Sequence, residues 1–489
     1  MAKTWILTER KCIMKKKLLT AITIFLCSLL QSQTNVSGGI YANTIWTKAN
    51  SPYIVTVTVV VFPGITLTIE PGVTVKFNNN QYMEIRQGHL IARGKINDSI
   101  IFTSNAAVPA KGNWKGIYLN GGTLDSLVNY CNFRYADRAL YLQSSVGSAP
   151  SMIKNSSFIY NNYGSYFGSP GFDSCTFINN TNGLLGSNYL NYCVFSKNGT
   201  GATTCAGIIQ NCIINNNGTG IDGISASIKK CTVRDNQIGL RGISNGSAYP
   251  IDSCIISHNR EGIFATNYAI IKNNILDSNK LIGIQTTGGN SIINNLIRYS
   301  GIGIDEGAGN PGLIIGNTIE YDSIGLSVGI PNDEIHCNKI CNNISYNLRY
   351  TGNFNTTSGF CSNNYWCTTD SASTAVKIFD GYDNTTLGLV KFMPLDNTQC
   401  YLSVGIKEFE RDRAFTLFPN PSAGAFTIEF GAILSGQFIL TNAMGETTYS
   451  EQLIDAKQME INLDLTPGIY FMKVETVNGS LSKKIIIQK

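Results

Sequence analysis

The chain has 489 residues, enough for more than one domain; only 14% are charged and 48 are Gly. Low charge with abundant Asn, Ser, Thr and Gly favours short strands and turns over helices. A net charge of +5 over this length, with no basic stripe interleaved with aromatics, argues against nucleic-acid partners.

At the N-terminus, Lys15, Lys16 and Lys17 precede the apolar run Leu18–Leu30 and the polar Gln31–Gln33. This is the pattern of a signal peptide over residues 1–33, with Met14 as the true start. A largely apolar run of thirteen residues is too short to span a bilayer, so no membrane span is expected once the leader is cut. Apolar residues continue past Cys27, which argues against lipid attachment there. The stretch VFPGITLTIEPGVTVKFNN (Val61–Asn79), then GHLIARG and IIFTSN, reads as alternating strands with Pro-Gly turns.

Beyond residue 128 the chain becomes periodic. A Gly recurs at Gly164, Gly183, Gly201, Gly220, Gly239, Gly262, Gly283, Gly303 and Gly325, spaced 18 to 23 residues apart, with Ala139 one step earlier. Eight residues before each marker (nine before Gly283) stand Cys131, Ser156, Cys175, Cys193, Cys212, Cys231, Cys254, Asn274, Asn295 and Asn317. Two residues after these runs an apolar row that starts Phe133, Phe158, Phe177 and Phe195, and three residues before them runs another. Five residues after Ser156, Cys175, Cys193, Cys212, Cys231, Cys254 and Asn274 come Asn161, Asn180, Asn198, Asn217, Asn236, Asn259 and Asn279. No helical stripe of sufficient length is present, and a propeller blade needs about forty residues. Repeats of about twenty β-rich residues suit a parallel β-solenoid, with coils stacked about 4.8 Å apart so that equivalent residues lie over one another.

In such a stack Cys is a small residue filling a tight bend, the Phe row becomes an internal stack, and the Asn amides bond along the axis. The marker Gly is expected to supply a positive φ beside the corner. A metal or disulfide role for the Cys row fits poorly: neighbouring coils hold side chains farther apart than a disulfide needs, and no His or CxxC pair interleaves. No metal site is expected. Cys337, Cys341, Cys361, Cys367 and Cys400 lie outside the row and are disulfide candidates in an exported chain.

LTIEPGVTVKF, GNWKGIYL (Gly112–Leu119) and the N…GI coils resemble secreted right-handed parallel β-helix proteins of pectin-lyase-like architecture, over roughly residues 40–395. NNYWCTTD (Asn363–Asp370) and TLGLVKFMPL (Thr386–Leu395) are similar to the closing segment of such helices, a cap at about 360–395. That segment commonly has Gly after the Trp; Cys367 stands there, which suggests a local Cys361–Cys367 bridge. TAVKIFDGYD (Thr374–Asp383) reads as a short helix covering the open end. The β-helix is thus expected over 34–400, with a linker at 401–413.

Residues 414–489 differ in composition and read as a small β domain with Pro-Asn-Pro and Pro-Gly turns. FTLFPNPSAGAFTIEF, GQFILTNAMGETTYSEQ, LTPGIYFMKVE and SKKIIIQK, in this order, resemble the type A C-terminal sorting domain of the type IX secretion system, with Pro419, Asn420, Pro421, Gly424, Gly468, Lys483 and Lys484 as its signal residues. The resemblance implies an Ig-like β-sandwich, a Bacteroidota-type Gram-negative source, the type IX machinery as partner, and delivery to the cell surface or medium. Removal of the domain and attachment to lipopolysaccharide often accompany that route.

Two residues after each Gly marker, side chains are expected to point outward: Tyr141, Tyr166, Leu185, Thr203, Asp222, Arg241, Phe264, Gln285, Asp305 and Ser327. Tyr141, Tyr166, Phe264 and Gln285 are candidate sugar contacts. Asp222, Arg241 and Asp305 are the candidate catalytic residues, and as a plain alternative Asp222 and Arg241 form a weak surface ion pair. A second outward row, ending Arg234, Ser257, Asp277, Arg298 and Glu320, reads as solubility, and His258 as a lone corner residue. The favoured reading is a non-catalytic, monomeric, glycan-binding or adhesive scaffold without cofactors, its partner an extracellular polysaccharide. The alternative is a polysaccharide lyase, for which calcium would be the cofactor, or a glycoside hydrolase.

Overall fold

The computed structural model describes residues 33–121, 128–142, 152–400 and 415–488, apart from 169, 244–248, 267, 288, 308–311, 330–333, 354–358, 399, 443–445 and 477–478. The leader and the linker lie outside the described residues. The chain divides into two compact units, Met1–Cys400 and Tyr401–Lys489. The first is an all-β solenoid of about 14 turns over residues 34–350, its strands paired in parallel from coil to coil.

The core follows from the register. Phe133 pairs with Phe158, Phe158 with Phe177 and Phe177 with Phe195, so identical rings fall on one another. Phe102, Phe133, Phe158, Phe177 and Phe195 stack with centroids 4.8–4.9 Å apart, all fully buried. Further along, Ile214, Val233, Ile256, Leu276, Ile297 and Ile319 carry the same row as aliphatic packing.

Each short strand of the middle coils is flanked by a bend, and both bends use side chains to satisfy backbone groups. At the first, Asn161, Asn180, Asn198, Asn217, Asn236, Asn259 and Asn279 form a ladder. Each Oδ1 accepts the backbone N–H and the amide N–H of the Asn one coil before, at 2.8–3.2 Å. Each amide also donates to a core-row carbonyl, as Asn180 does to Phe158 at 2.9 Å. From Asn180 to Asn259 all four hydrogen-bonding positions of the side chain are occupied. The second bend holds the Cys row. Cys193, Cys212, Cys231 and Cys254 direct Sγ at the carbonyls of Asn191, Gln210, Lys229 and Asp252, at 3.2–3.4 Å. Ser156 does the same to Lys154, at 2.7 Å. From Asn274 through Asn295, Asn317 and Asn338 to Asn364 this row becomes a second amide ladder, at 2.8–3.0 Å. The thiol is therefore a weak donor as well as a filler. Burial pushes the thiols of Cys131 and Cys205 up to about 12.

The marker glycines act differently from expectation. Gly183, Gly201, Gly220 and their equivalents do not take positive φ; a Cβ on them would sit 2.1–2.6 Å from the carbonyl oxygen of the same Gly one coil on. They are glycines because coils meet there backbone to backbone. The positive φ instead falls on the residue before each ladder: Asn179, Lys197, Asn216, Asp235, His258 and Ser278 before one, Asn155, Ser174, Asn211 and Lys230 before the other, at φ 47–59°. A left-handed residue other than Gly costs roughly 1–2 kcal/mol, less for Asn and Asp, so the ladder bonds must hold these bends in place.

The closing segment differs in detail from expectation. The helix is Ser371–Ala375, capped by Asp370, while Ile378–Phe379 adds a strand to Leu348 and Arg349 of the last coil. Cys367 bonds Cys341, and Cys337 bonds Cys400, so no Cys361–Cys367 bridge exists. Cys367 has φ 59°, the conformation that a Gly after the Trp would adopt freely, and its disulfide ties that strained turn to the last coil.

The second unit is a five-stranded antiparallel sheet. Its long strands Ala425–Asn442 and Thr447–Asn462 shift register between Glu429 and Gly436. The sheet folds over its own core of Phe426, Ile428, Phe438, Leu440, Met472, Val474 and Ile485. Asn420 fastens the Pro-Asn-Pro turn to the last strand: its Oδ1 accepts the Ile486 N–H at 2.9 Å and its amide donates to the Lys484 carbonyl at 3.0 Å.

Two outcomes are expected. Iodoacetamide should leave Cys131, Cys175, Cys193, Cys205, Cys212, Cys231 and Cys254 unmodified in the native protein and alkylate them after unfolding, read by mass spectrometry. The second concerns Asp322, which occupies a corner-ladder position. Its Oδ1 accepts the Ser300 N–H at 2.6 Å, Oδ2 has no partner, and burial pushes its carboxyl up to about 7. Because the folded value lies above the ordinary carboxyl value, this group's contribution is complete below about pH 4 and is lost as pH rises to 7. Asp322→Asn should complete the ladder, raising the melting temperature by several degrees at pH 8 and little at pH 4. Equal shifts at both pH values would refute that assignment.

Candidate functional site

The outward positions of the long parallel strands form one continuous row. Tyr118 is in register with Tyr141, Tyr141 with Tyr166, Tyr166 with Leu185, and Leu185 with Thr203. The row continues through Asp222, Arg241, Phe264, Gln285, Asp305, Ser327 and Arg349. The candidate residues therefore lie on one face, but their neighbours differ.

Over the first coils this face is aromatic. Tyr82 stacks on Tyr118 with centroids 4.9 Å apart, Tyr118 meets Tyr141 edge to face at 5.1 Å, and Tyr141 meets Tyr166 at 5.4 Å. Tyr163 and Phe167 flank Tyr166 at 4.9 and 4.4 Å. The Arg138 guanidinium lies 4.4 Å from the Tyr166 ring centre and 5.2 Å from that of Tyr141, a cation–π arrangement. Tyr82, Tyr118, Tyr163 and Arg138 lie outside the outward row expected from the sequence. Tyr118 stands two residues after Gly116, so running the Gly ruler back past Ala139 would have found it. Arg138 and Tyr163 share one position of the period, directly before Ala139 and Gly164, but no common residue type marks it.

Two acid–arginine pairs lie on the same face, while Asp305 stands outside them and Arg349 donates to Ser327 Oγ at 3.1 Å. Arg241 Nε donates to Asp222 Oδ1 at 3.0 Å and a second N–H to Oδ2 across one coil step. The bonds from Arg241 hold the Asp222 carboxyl below the usual carboxylate range. Glu84, in register with Tyr118, is held low in the same way by two bonds from Arg86 at 2.9 and 2.7 Å. Burial raises the Tyr118 phenol. Asp305 lies four coil steps from Asp222, about 19 Å along the axis, well beyond the roughly 5–9.5 Å that separates paired carboxylates of a glycosidase. On the adjoining face, Arg298 pairs with Asp277 and Lys339 with Glu320, both at 2.6–2.7 Å. His258 stands exposed at a left-handed corner. Among the described residues no three His, Cys, Asp or Glu side chains converge as a metal site, and no helix is long and apolar enough to cross a membrane.

Comparison with known proteins gives two family matches. Residues 416–488 match the secretion system C-terminal sorting domain, and residues 38–130 the pectate-lyase like beta helix domain. This is an exported β-helix protein carrying a sorting tail. The tail directs the exported β-helix through the type IX system to the cell surface or extracellular space of Bacteroidota-type Gram-negative bacteria. Among curated proteins no sequence matches. A solved structure, the Siphovirus 9NA tailspike receptor binding domain, is 9% identical to the exported β-helix chain over 93% of this chain and 94% of that one, at a TM-score of 0.20.

Arg241→Ala should lower the stability of this β-helix by about 1 kcal/mol or less, because the pair is half-solvated and the freed Asp222 rehydrates. Denaturant midpoints at neutral pH test this; a loss of several kcal/mol would mean the pair is an essential tie between coils.

Proposed function

We propose that this chain is an exported scaffold that binds polysaccharide through the aromatic band of its first coils and performs no chemistry on it. One observation carries the reading: Tyr82, Tyr118, Tyr141 and Tyr166 follow one another with Arg138 laid across the last two rings. Tyrosine rings offer an apolar face for the C–H side of a sugar and a hydroxyl for its rim. A guanidinium stacked on two rings keeps its N–H edge available for hydroxyl or acidic groups.

Proton transfer near neutral pH finds little support on this face. Glu84 and Asp222 are held ionised by bidentate arginines, which makes them weak bases and poor acids. Tyr118 is shifted away from the phenolate that a base would require. An open strand surface, rather than a deep pocket, also suits binding along a polymer.

The exported protein should be retarded in native gels cast with a soluble polysaccharide, and Tyr141→Ala/Tyr166→Ala should weaken the retardation roughly tenfold, two ring contacts of about 0.5–1.5 kcal/mol each. Reducing ends and unsaturated sugar ends are followed in parallel. Turnover on any polysaccharide retained by the protein would replace the scaffold reading with the lyase or hydrolase alternative.

A further inference from the structure

The left-handed corner rows raise a question that packing does not answer. Most coils place Asn, Ser, Asp or Lys there, residues that tolerate the conformation or extend into water. Tyr135, Tyr160, Tyr192, Tyr299 and Tyr321 hold the same backbone positions, with φ between 50 and 64°. Tyrosine has no short polar side chain to compensate a left-handed φ locally. Its ring is also not being buried: Tyr299 is 52% and Tyr321 42% exposed. Asn342, one coil beyond Tyr321, takes φ 58° at the same corner and shows the residue that backbone geometry prefers.

Tyr299 and Tyr321 stand one coil apart and stack, centroids 5.4 Å apart at 13°. That separation exceeds flat ring-on-ring contact, so the rings are offset and each leaves part of a face to solvent. The pair is also held in place. The Arg298 guanidinium lies 5.4 Å from the Tyr299 ring centre, and its Nε bonds Asp277 Oδ2 at 2.7 Å. Strain maintained at an exposed, pre-positioned ring pair points to recognition rather than stability.

We propose, resting on the polysaccharide-binding reading above, that Tyr299 and Tyr321 form a second polysaccharide contact, the uncovered parts of their offset rings meeting successive pyranoses of an extended glycan that runs along the solenoid axis. The coil rise, about 4.8 Å, is close to the length that one pyranose adds to an extended chain, so one sugar falls on each ring. The pair lies on the corner row that also carries Tyr135 and Tyr160, seven coil steps, or about 34 Å, from Tyr160. On a rigid solenoid the two regions grip one polymer together, and each raises the effective concentration of glycan at the other.

Asn substitution separates fold from binding. Tyr299→Asn/Tyr321→Asn in the exported protein should keep or raise the melting temperature, since Asn suits the left-handed corner. It should weaken retardation at least fivefold in native gels containing xylan, alginate or dextran, whichever retards the wild type. Tyr299→Phe/Tyr321→Phe, which keeps the faces, should bind nearly as the wild type does. Unchanged retardation in the Asn variant, or a clear fall in its melting temperature, overturns the proposal. If the Asn variant binds normally while Tyr141→Ala/Tyr166→Ala does not, the aromatic band stands and this second contact falls. The reverse result leaves this contact standing and removes the band. Absence of retardation of the wild type in all three gels overturns both.

Discussion

Stacking parallel coils about 4.8 Å apart pairs the backbone groups of the strands and many of those at the bends, such as Asn179 N–H with the Ser196 carbonyl, but leaves other bend groups to side chains. A chain that turns sharply inside a solenoid buries N–H and C=O groups that no strand can reach. Here an Asn side chain closes most corners of the ladder, bonding the backbone of one coil and the amide of the next. A net hydrogen bond contributes only about 0.5–1.5 kcal/mol, but a buried group left without one costs about 1–3 kcal/mol. The ladder's value therefore lies in preventing the second quantity at every coil. The same bonds hold the left-handed residue that precedes each ladder position. Corner geometry, amide ladder and coil spacing are one constraint, and the core stack of Phe rings follows from the register it imposes.

That constraint is also why so much of the architecture was legible in the sequence. When equivalent residues lie over one another, a structural requirement appears as a row: Cys or Asn, an apolar residue, Asn, Gly. The solenoid, the Phe stack and the sorting tail could be read from such rows and motifs. What the rows did not reveal was which physical demand each answered. Gly is expected at positive φ, yet Gly201 and its equivalents answer a close approach of backbones, while Asn, Lys and even Tyr accept the left-handed corners. The Cys row reads as packing, and only the geometry shows each thiol directed at a carbonyl. The disulfide partners in the closing segment depend on where the last coil passes, and spacing along the chain does not contain that.

The candidate site was less legible than the fold for a related reason. Outward residues do not repeat, because nothing stacks them for the sake of the core. Tyr141 and Tyr166 were found by position in the period, whereas Tyr82, Tyr163 and Arg138 enter through side-chain directions that no period encodes. Charged residues mislead in the opposite sense. Asp222 and Arg241 look like chemistry in a sequence, and the structure pairs them with each other across one coil step.

Across the solenoid surface, opposite charges on neighbouring coils pair off: Asp222 with Arg241, Asp277 with Arg298, Glu320 with Lys339. Half-solvated pairs of this kind add little stability, but they keep a long parallel face from presenting unpaired charge of one sign. The aromatic residues follow no such rule. Tyr118, Tyr141 and Tyr166 are held in place on a face that needs no apolar cover, and Tyr299 and Tyr321 at corners where Asn would cost less. The thiols of the Cys row lie inside, and these rings stand at the surface beside the paired charges.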